Sequence, residues 1–297
     1  MEIGTKEWFI ERALNTLTFN KEGNFWDFSD SSLVYTPGSE EEYKEVQEED
    51  TEYNKLVTTQ EHALLRQIAG DVIQKLPQKF LYIDLGPGTE HKEQYFFDAI
   101  KTQGKEVIYV PVDINLKILK EASAHAEQQG LSVLPNQSLF EDLDTTTRTL
   151  SGFKFISLGL TFTNYKPDEI LSIFKKTING DGAAFITVQL RDRVDIKKVE
   201  KQYGEEGFAY VVTTKMKLLG FEKGDFLIST DDMVQTWAKI KNVPDKLKEL
   251  GVKEGDTFLL FRSIRYLKED LETIFKQNGF TVRFFDAGNS FLGILLT

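Results

Sequence analysis

The chain lacks cysteine and contains only three histidines, His62, His91 and His125. The absence of cysteine excludes disulfides, thiolate metal sites and cysteine nucleophiles. Because so few histidines are present, there is little material for a histidine-based metal site. The sequence therefore predicts a protein without a metal centre.

Basic charge and long apolar runs are also scarce. The 36 lysines and arginines are outnumbered by 47 acidic residues, which gives a formal net charge of −11, and they form no long basic block. A nucleic-acid partner would need a locally positive face, which this pattern does not indicate. No apolar run approaches the length of a membrane span, and the first residues contain no signal-peptide core. We therefore expect a cytoplasmic protein that takes a small-molecule substrate and binds neither nucleic acid nor membrane, and the oligomeric state stays open.

Residues 79–90 predict a short apolar strand, a Gly-x-Gly turn and a helix beginning near residue 90. Gly86 and Gly88 have no Cβ, so the backbone of this turn can approach a bound nucleotide closely. A dinucleotide-binding fingerprint would need a third glycine where His91 lies, which disfavours a nicotinamide cofactor. Asp84 favours instead a ligand with positive charge. The turn resembles the first motif of Rossmann-like methyltransferases that use S-adenosylmethionine (SAM), and an ordinary βα turn is the alternative.

A second apolar run, residues 106–112, ends at Asp113 and is followed by a predicted helix. In a right-handed βαβ unit this strand lies beside the first, so Asp113 is expected at the same sheet edge as the glycine turn. Its carboxylate can accept hydrogen bonds from both ribose hydroxyls of an adenosine. The alternative is a helix N-cap, which Asp113 or Asn115 could supply. We prefer the ribose interpretation.

Strands and helices alternate along most of the chain, which predicts an α/β doubly wound fold with a mostly parallel sheet. Apolar runs predict the further strands 131–140, 153–158, 183–190, 257–266, 280–285 and 291–296. Helical spacing predicts helices at 6–17, from Thr58 or Thr59 to 73, and at 192–203, 205–219 and 267–278. The final hairpin fits the antiparallel edge of a Rossmann-like SAM methyltransferase sheet. We therefore expect a SAM-binding core, 54–190 with 267–297, and a substrate-binding cap, 1–53 with 191–266, over the carboxyl ends of the strands.

Two acidic segments have an open interpretation. Glu141 and Asp142 follow the predicted third strand, where a carboxylate can accept a hydrogen bond from an adenine amino group. An acidic surface loop would look the same. The acidic run within residues 38–53 is most simply a solvated surface segment or a flexible lid.

Several separated segments resemble one family, the histidine-specific Nα-methyltransferases of ergothioneine biosynthesis, over the chain from about Tyr53 onward. The matching segments are DLGPGTEHK at 84–92, YVPVDI at 109–114, LGLTFTN at 158–164 and SIRY at 263–266. The element around Asp113 is the more distinctive, since D-x-G-x-G is shared by many methyltransferases.

The resemblance implies a SAM site and a substrate site. For SAM it implies Gly86, Lys92, Asp113, Glu141 and Asp142, to which we add the neighbouring Asp84, Gly88 and Gly159. It also implies that Asn164 and Tyr203 hold the amino and carboxylate groups of the acceptor and so act as the catalytic pair. Tyr53 is the nearest match to a further substrate-contacting tyrosine.

One position departs from the family pattern. Where the family has a glutamate that reads histidine, this chain has Phe261, although Ser263 is retained. An apolar ring rejects a polar side chain because it leaves the polar group unpaired. We therefore predict SAM-dependent N-methylation of an amino acid or related small molecule other than histidine. The alternatives are a hydroxyl, carboxylate or peptide acceptor, or a SAM sensor without transfer, in which Asn164 caps a helix and Tyr203 and Phe261 serve packing.

Overall fold

The computed structural model describes residues 2–34, 36, 51–204 and 208–297, and the chain divides into two compact units. The smaller unit comprises Met1–Leu56 and Asp195–Ile264, and the larger comprises Val57–Val194 and Arg265–Thr297. The sequence placed the corresponding boundaries after residues 53, 190 and 266. Residues 38–50, which carry most of the acidic run, lie outside the described part of the chain. The roles assigned to the units as cofactor core and substrate cap stay predictions.

The strands are numbered in chain order, and the helices are named by their residue bounds. The strands are β1 Thr18–Asn20, β2 Phe25–Asp27, β3 Lys79–Leu85, β4 Glu106–Val112, β5 Ser132–Val133, β6 Lys154–Leu158, β7 Gly182–Gln189, β8 Phe226–Thr230, β9 Gln235–Ile240, β10 Thr257–Arg262, β11 Val282–Asp286 and β12 Phe291–Leu296. The α-helices span Lys6–Thr16, Thr59–Gln74, Gln94–Thr102, Leu116–Gln128, Leu143–Thr147, Pro167–Ile178, Ile196–Gly204, Phe208–Leu218, Asp245–Lys248 and Lys268–Gln277. Within the described residues, no helix is both long enough and apolar enough to cross a membrane.

The larger unit contains a seven-stranded sheet with the order β11-β12-β7-β6-β3-β4-β5. Strands β3 to β7 pair in parallel, whereas β12 runs antiparallel to both β7 and β11. Ile83, Ile156 and Ile186 are completely buried in its central strands, as expected where near-continuous apolar runs form a parallel sheet covered on both faces. The predicted Rossmann-like α/β fold with an antiparallel carboxyl-terminal edge is confirmed.

Three local predictions in this unit need correction. The third strand spans only Ser132–Val133, although Leu134 and Asn136 still donate backbone hydrogen bonds to Tyr109 and Pro111 of β4 and an isolated bridge joins Val112 to Asn136. The first βα helix begins at Gln94 rather than near residue 90, after His91 adopts a left-handed φ of 51°. Thr58 is at the N-cap position of helix Thr59–Gln74, but its side chain makes no capping hydrogen bond.

The smaller unit contains a five-stranded sheet with the order β1-β2-β10-β9-β8. Strand β10 runs antiparallel to β9 and parallel to β2. It ends at Arg262, so the predicted strand 257–266 was too long. The hairpins β1-β2 and β8-β9 were not predicted from the sequence.

Candidate active site

The glycine turn after β3 has the backbone conformation that glycine permits. Gly86 and Gly88 have φ angles of +63° and +70°, which are strained for residues with a Cβ. The N–H of Gly86 donates to the carbonyl of Val112 over 2.8 Å, which ties the turn to the end of β4. A methyl group placed on Gly88 would meet no atom within 4 Å, so the turn has open space beside it.

A cavity lies in the larger unit near the carboxyl ends of β3, β6 and β7, the edge where open α/β sheets bind ligands. Its lining combines carboxylates, a lysine, hydroxyls and aromatic rings: Glu61, Leu65, Tyr82, Asp84, Gly86, Pro87, Lys92, Glu93, Phe96, Ser157, Gly159, Thr161, Phe185 and Thr187. Four of the predicted cofactor residues, Asp84, Gly86, Lys92 and Gly159, are therefore brought to one cavity.

Asp84 is buried at the end of β3 and receives two side-chain hydrogen bonds from neighbouring strands. The hydroxyl of Tyr109 donates to Oδ2 over 2.8 Å, and that of Ser157 donates to Oδ1 over 3.1 Å. Burial and the nearby Glu93 raise the pKa of Asp84 to about 7, against these two hydrogen bonds, which lower it. Asp84 thus connects three adjacent strands and brings a carboxyl group to the cavity wall.

Lys92 is held between two glutamates, at 2.9 Å from Glu61 Oε2 and 2.9 Å from Glu90 Oε2. Burial lowers the pKa of Lys92, but the two carboxylates outweigh it and hold the pKa well above its usual value. Glu61, only 2% exposed, also accepts a hydrogen bond from the Thr187 hydroxyl. Burial raises the pKa of Glu61, but Lys92 and Thr187 reverse this and leave it lowered.

Sequence reasoning missed the part played by Glu61 and Thr187. Glu61 begins the apolar face of helix Thr59–Gln74, at helical spacing from the buried Leu64, Leu65 and Ile68. A glutamate on the buried face of a helix needs a partner inside the protein. The position of Glu61 on this apolar face was therefore the sequence feature that could have indicated a buried ion pair. Thr187, in β7, gave no comparable signal.

Gly159 lies directly against this ion pair. A Cβ placed on Gly159 would lie 3.1 Å from Oε1 of Glu61, 3.6 Å from Nζ of Lys92 and 3.7 Å from Oγ1 of Thr187. The glycine therefore leaves the space that these three polar groups need in order to meet.

Asp113 follows β4 directly, at the same sheet edge as the glycine turn. Its Oδ1 accepts a hydrogen bond from the N–H of Asn115 over 2.7 Å. Asn115, not Asp113, is the N-cap of helix Leu116–Gln128 and accepts from the N–H of Lys117 over 3.0 Å. Burial of the carboxylate raises the pKa of Asp113 to about 7, against the backbone N–H groups of Asn115 and Ile114, which lower it.

Glu141 and Asp142 lie in a short 3₁₀ segment, Phe140–Asp142, and both are exposed. The segment lies next to the glycine turn, because a Cβ on Gly86 would lie 3.5 Å from the tip of the Phe140 ring. The role of Glu141 and Asp142 at the adenine stays a prediction. Phe140 itself was not singled out from the sequence.

Four predicted substrate residues meet within the smaller unit. The Tyr203 hydroxyl is 3.3 Å from Oγ of Ser263, within hydrogen-bond distance. The Tyr203 ring stacks on Phe261 with centroids 6.0 Å apart, and Tyr53 contacts it edge-on with centroids 6.1 Å apart. Tyr203 and Phe261 are each 2% exposed. We call Tyr53, Tyr203, Phe261 and Ser263 the aromatic cluster.

Asn164 belongs to the larger unit, at the end of the 3₁₀ segment Leu160–Asn164. The helix that follows begins at Pro167, and its N-cap residue is Lys166. Asn164 is therefore not the capping residue of that helix, which removes one of the structural alternatives for it.

The residues present fit a SAM molecule chemically. An open-sided turn with two glycines at positive φ lets the backbone approach a ligand closely. Asp113, at the end of the neighbouring strand, supplies a carboxylate acceptor for ribose hydroxyls. The glycine turn, Asp113 and the Phe140–Asp142 segment would hold the nucleoside.

Comparison with known structures finds similar folds at low sequence identity. The PH0226 protein from Pyrococcus horikoshii OT3 is 17% identical with a TM-score of 0.47, over 86% of this chain and 98% of the other. A SAM-dependent methyltransferase from Aquifex aeolicus is 13% identical with a TM-score of 0.42, over 83% and 98%. DhpI in complex with SAH is 11% identical with a TM-score of 0.44, over 90% and 95%. A search among curated protein sequences finds no match.

A family model gives the assignment. The model for "Histidine-specific methyltransferase, SAM-dependent" matches residues 33–207, more than half of the chain. The matched range includes the glycine turn, Asp113 and the cavity residues up to Thr187. The chain belongs to this family of SAM-dependent methyltransferases, and its cofactor is SAM.

Proposed function

We propose that the protein transfers a methyl group from SAM to the amine of an amino acid or related small molecule other than histidine. The aromatic cluster carries this proposal. It keeps Ser263 within hydrogen-bond distance of Tyr203 but places the buried Phe261 ring where the family resemblance expects a glutamate.

The side chain at position 261 decides which acceptor is favoured. An imidazole placed against Phe261 would lose hydrogen bonds to water and gain none from the ring, a cost of roughly 1–3 kcal/mol per unpaired group. The Phe261 ring, which stacks on Tyr203, makes this position apolar and aromatic instead. Acceptors with an apolar or aromatic side chain are therefore favoured over histidine.

The proposed reaction needs alignment more than acid–base chemistry. When bound, SAM supplies an electrophilic methyl group on a sulfonium. The glycine turn and Asp113 would fix the nucleoside, and the family resemblance implies Asn164 and Tyr203 as residues that hold the acceptor. Transfer requires the acceptor nitrogen to lie in line with the methyl group. An amino acid's amine is protonated near neutral pH, so it first gives a proton to water or to a nearby oxygen. The freed lone pair then forms the nitrogen–carbon bond as the carbon–sulfur bond breaks.

The test is an acceptor panel with SAM labelled in its methyl group. Full-length protein is incubated with amino acids of apolar, aromatic, polar and charged type, and the products are identified by mass spectrometry. We expect label on the amine of an apolar or aromatic acceptor and little on histidine. Asp113→Asn serves as the cofactor-site control.

Two outcomes would reject the proposal. Preferred transfer to histidine would show that Phe261 does not set the acceptor, and transfer to hydroxyl or carboxylate oxygen would change the reaction. A third result is that no acceptor is methylated. If calorimetric titration then shows that the protein still binds SAM, the protein is a SAM sensor and not a transferase.

A further inference from the structure

Two histidines and a buried glutamate meet beside the glycine turn, within the larger unit. Nδ1 of His125 lies 2.8 Å from Oε1 of Glu93, and Nδ1 of His91 lies 3.3 Å from the same oxygen. The two imidazole rings contact each other with centroids 4.2 Å apart. We call His91, Glu93 and His125 the His₂Glu cluster.

The cluster joins separate parts of the fold. His91 and Glu93 lie in the turn between β3 and helix Gln94–Thr102, whereas His125 lies in the last turn of helix Leu116–Gln128. Their convergence is thus a property of the tertiary structure. It could not be read from the sequence, in which three histidines gave little material for a metal site.

The geometry is suited to a single ion. One ligand atom from each residue can be chosen so that all three lie within 4.8 Å of one another. Metal–ligand distances of about 2.0–2.2 Å in a tetrahedral zinc site place neighbouring ligand atoms roughly 3.3–3.6 Å apart. The nitrogen–oxygen separation of 3.3 Å for His91 is at the lower end of this range, and that of 2.8 Å for His125 is about 0.5 Å shorter, so an ion between them would require the His125 and Glu93 ligand atoms to move apart.

The surroundings also favour a metal site. Glu93 is 3% exposed, so its carboxylate lies away from bulk solvent and needs compensating positive charge. The side chains of His125 and His91 are 17% and 48% exposed, which leaves one side of the cluster open to water. Three protein ligands with an open position match the arrangement of sites in which water completes the coordination shell.

We propose that the His₂Glu cluster binds one divalent transition-metal ion, with Zn²⁺ the best match to two imidazole nitrogens and one carboxylate oxygen. The ion would connect the turn that carries Lys92 to helix Leu116–Gln128. Its role is structural, because the proposed methyl transfer requires no Lewis acid. Without a metal, the same three residues would form a hydrogen-bonded group in which the Glu93 carboxylate accepts N–H hydrogen bonds from both imidazoles. The experiment below distinguishes this arrangement from a metal site.

The experiment measures metal binding directly. Full-length protein without a histidine tag is stripped with a chelator and titrated with Zn²⁺ in competition with a chromophoric chelator. Co²⁺ is then added to stripped protein, and its visible absorption spectrum reports nitrogen and oxygen ligation. We expect one ion per chain and at least a tenfold loss of affinity in both His91→Ala and His125→Ala.

Two further variants make the result decisive. His62→Ala removes a histidine of the same unit whose Nδ1 lies 3.0 Å from the Tyr95 hydroxyl, outside the cluster, and it should bind Zn²⁺ like the wild type. His125→Gln keeps a side-chain N–H that can donate to Glu93 but is a poor metal ligand. It should fold, as circular dichroism would show, and lose Zn²⁺ affinity.

The proposal is overturned if the wild-type chain binds no Zn²⁺, or if His125→Gln binds as tightly as the wild type. The pairing of Glu93 with two imidazoles would then be a hydrogen-bonded structure only. Neither readout uses SAM or an acceptor, so this test is independent of the proposed function.

Discussion

The ammonium group of Lys92 lies 2.9 Å from a carboxylate oxygen of Glu61, inside the larger unit. Lys92 belongs to the turn predicted to bind SAM, and Glu61 belongs to helix Thr59–Gln74. This ion pair therefore connects the position of the cofactor turn to the packing of a helix distant in sequence. A buried pair of this kind is expected to matter most when one partner is removed.

Glu61→Gln should lower the free energy of unfolding by about 2–3 kcal/mol. This loss is smaller than the loss expected for a buried charge with no partner, because Glu90 still pairs with Lys92. Urea unfolding followed by circular dichroism measures this. Glu106→Gln is the matched control, since Glu106 pairs with Lys79 at 2.6 Å with both side chains largely exposed. Its effect should stay below about 1 kcal/mol. Equal losses in the two variants would contradict the importance given to Glu61.

Gly159→Ala should lower stability by about 1–3 kcal/mol and weaken SAM binding, because the added methyl group would lie 3.1 Å from Oε1 of Glu61. Gly70→Ala is the control. Gly70 lies within helix Thr59–Gln74, and a Cβ there meets no atom within 4 Å, so alanine should raise stability by about 0.5–1 kcal/mol. Calorimetric titration with SAM and urea unfolding check both. A Gly159→Ala variant as stable and as tight in binding as the wild type would refute the close contact.

Much of the larger unit could be predicted because its local signals agree with its tertiary structure. The apolar runs of β3 and β4 each indicate a strand, and the glycines that follow β3 indicate a turn. The convergence of Glu61, Lys92 and Thr187 could not be predicted, since it arises from three elements far apart in the chain. The same holds for His125 and Glu93.

The missed hairpin β8-β9 has a different cause. Its turn places Val234 at a φ of +58°, a conformation that β-branched residues rarely adopt, where glycine or asparagine would have indicated a turn. Strand β1 and its partner β2 have only three residues each, too few for a period-two pattern to emerge. In both cases the sheet of the smaller unit, rather than local preference, determines the conformation.

SAM affinity should decrease as the pH falls through about 7. Burial raises the pKa of Asp113 to about 7 in the free protein, whereas ribose hydroxyls that donate to the carboxylate would favour its ionised form and lower that pKa. Below pH 7, binding must therefore release a proton, which weakens it. Calorimetric titrations between pH 6 and pH 8 measure the effect, with the range chosen as about one unit on either side of that pKa.

Asp113→Asn is the control for this pH dependence. It should weaken SAM binding roughly 10–100-fold at pH 8, from the loss of charge-assisted hydrogen bonds of about 1.5–3 kcal/mol. The substitution should also make SAM affinity less dependent on pH. The remaining dependence would come from Asp84 in the cavity, because the pKa of Asp84 is also raised to about 7. An unchanged slope in Asp113→Asn would show that Asp113 does not contact the ribose.

Phe261→Glu should shift acceptor preference towards histidine. The ratio of kcat/KM for histidine to that for an apolar amino acid is expected to rise at least tenfold. A carboxylate can accept a hydrogen bond from an imidazole N–H and the phenyl ring cannot, and such a bond to a charged group contributes about 1.5–3 kcal/mol. Phe261→Leu, which keeps the position apolar, should leave the ratio nearly unchanged. Because Phe261 is 2% exposed, unfolding curves of both variants must accompany the kinetics. A ratio that does not move in a folded Phe261→Glu protein would place the acceptor elsewhere.

The most direct test of the proposed methyl transfer follows the label from methyl-labelled SAM onto the acceptor. We expect label on the nitrogen of an amino acid with an apolar or aromatic side chain for the wild type, and a strongly reduced yield for Asp113→Asn. SAM that binds tightly while no small amine in the panel acquires label would contradict it.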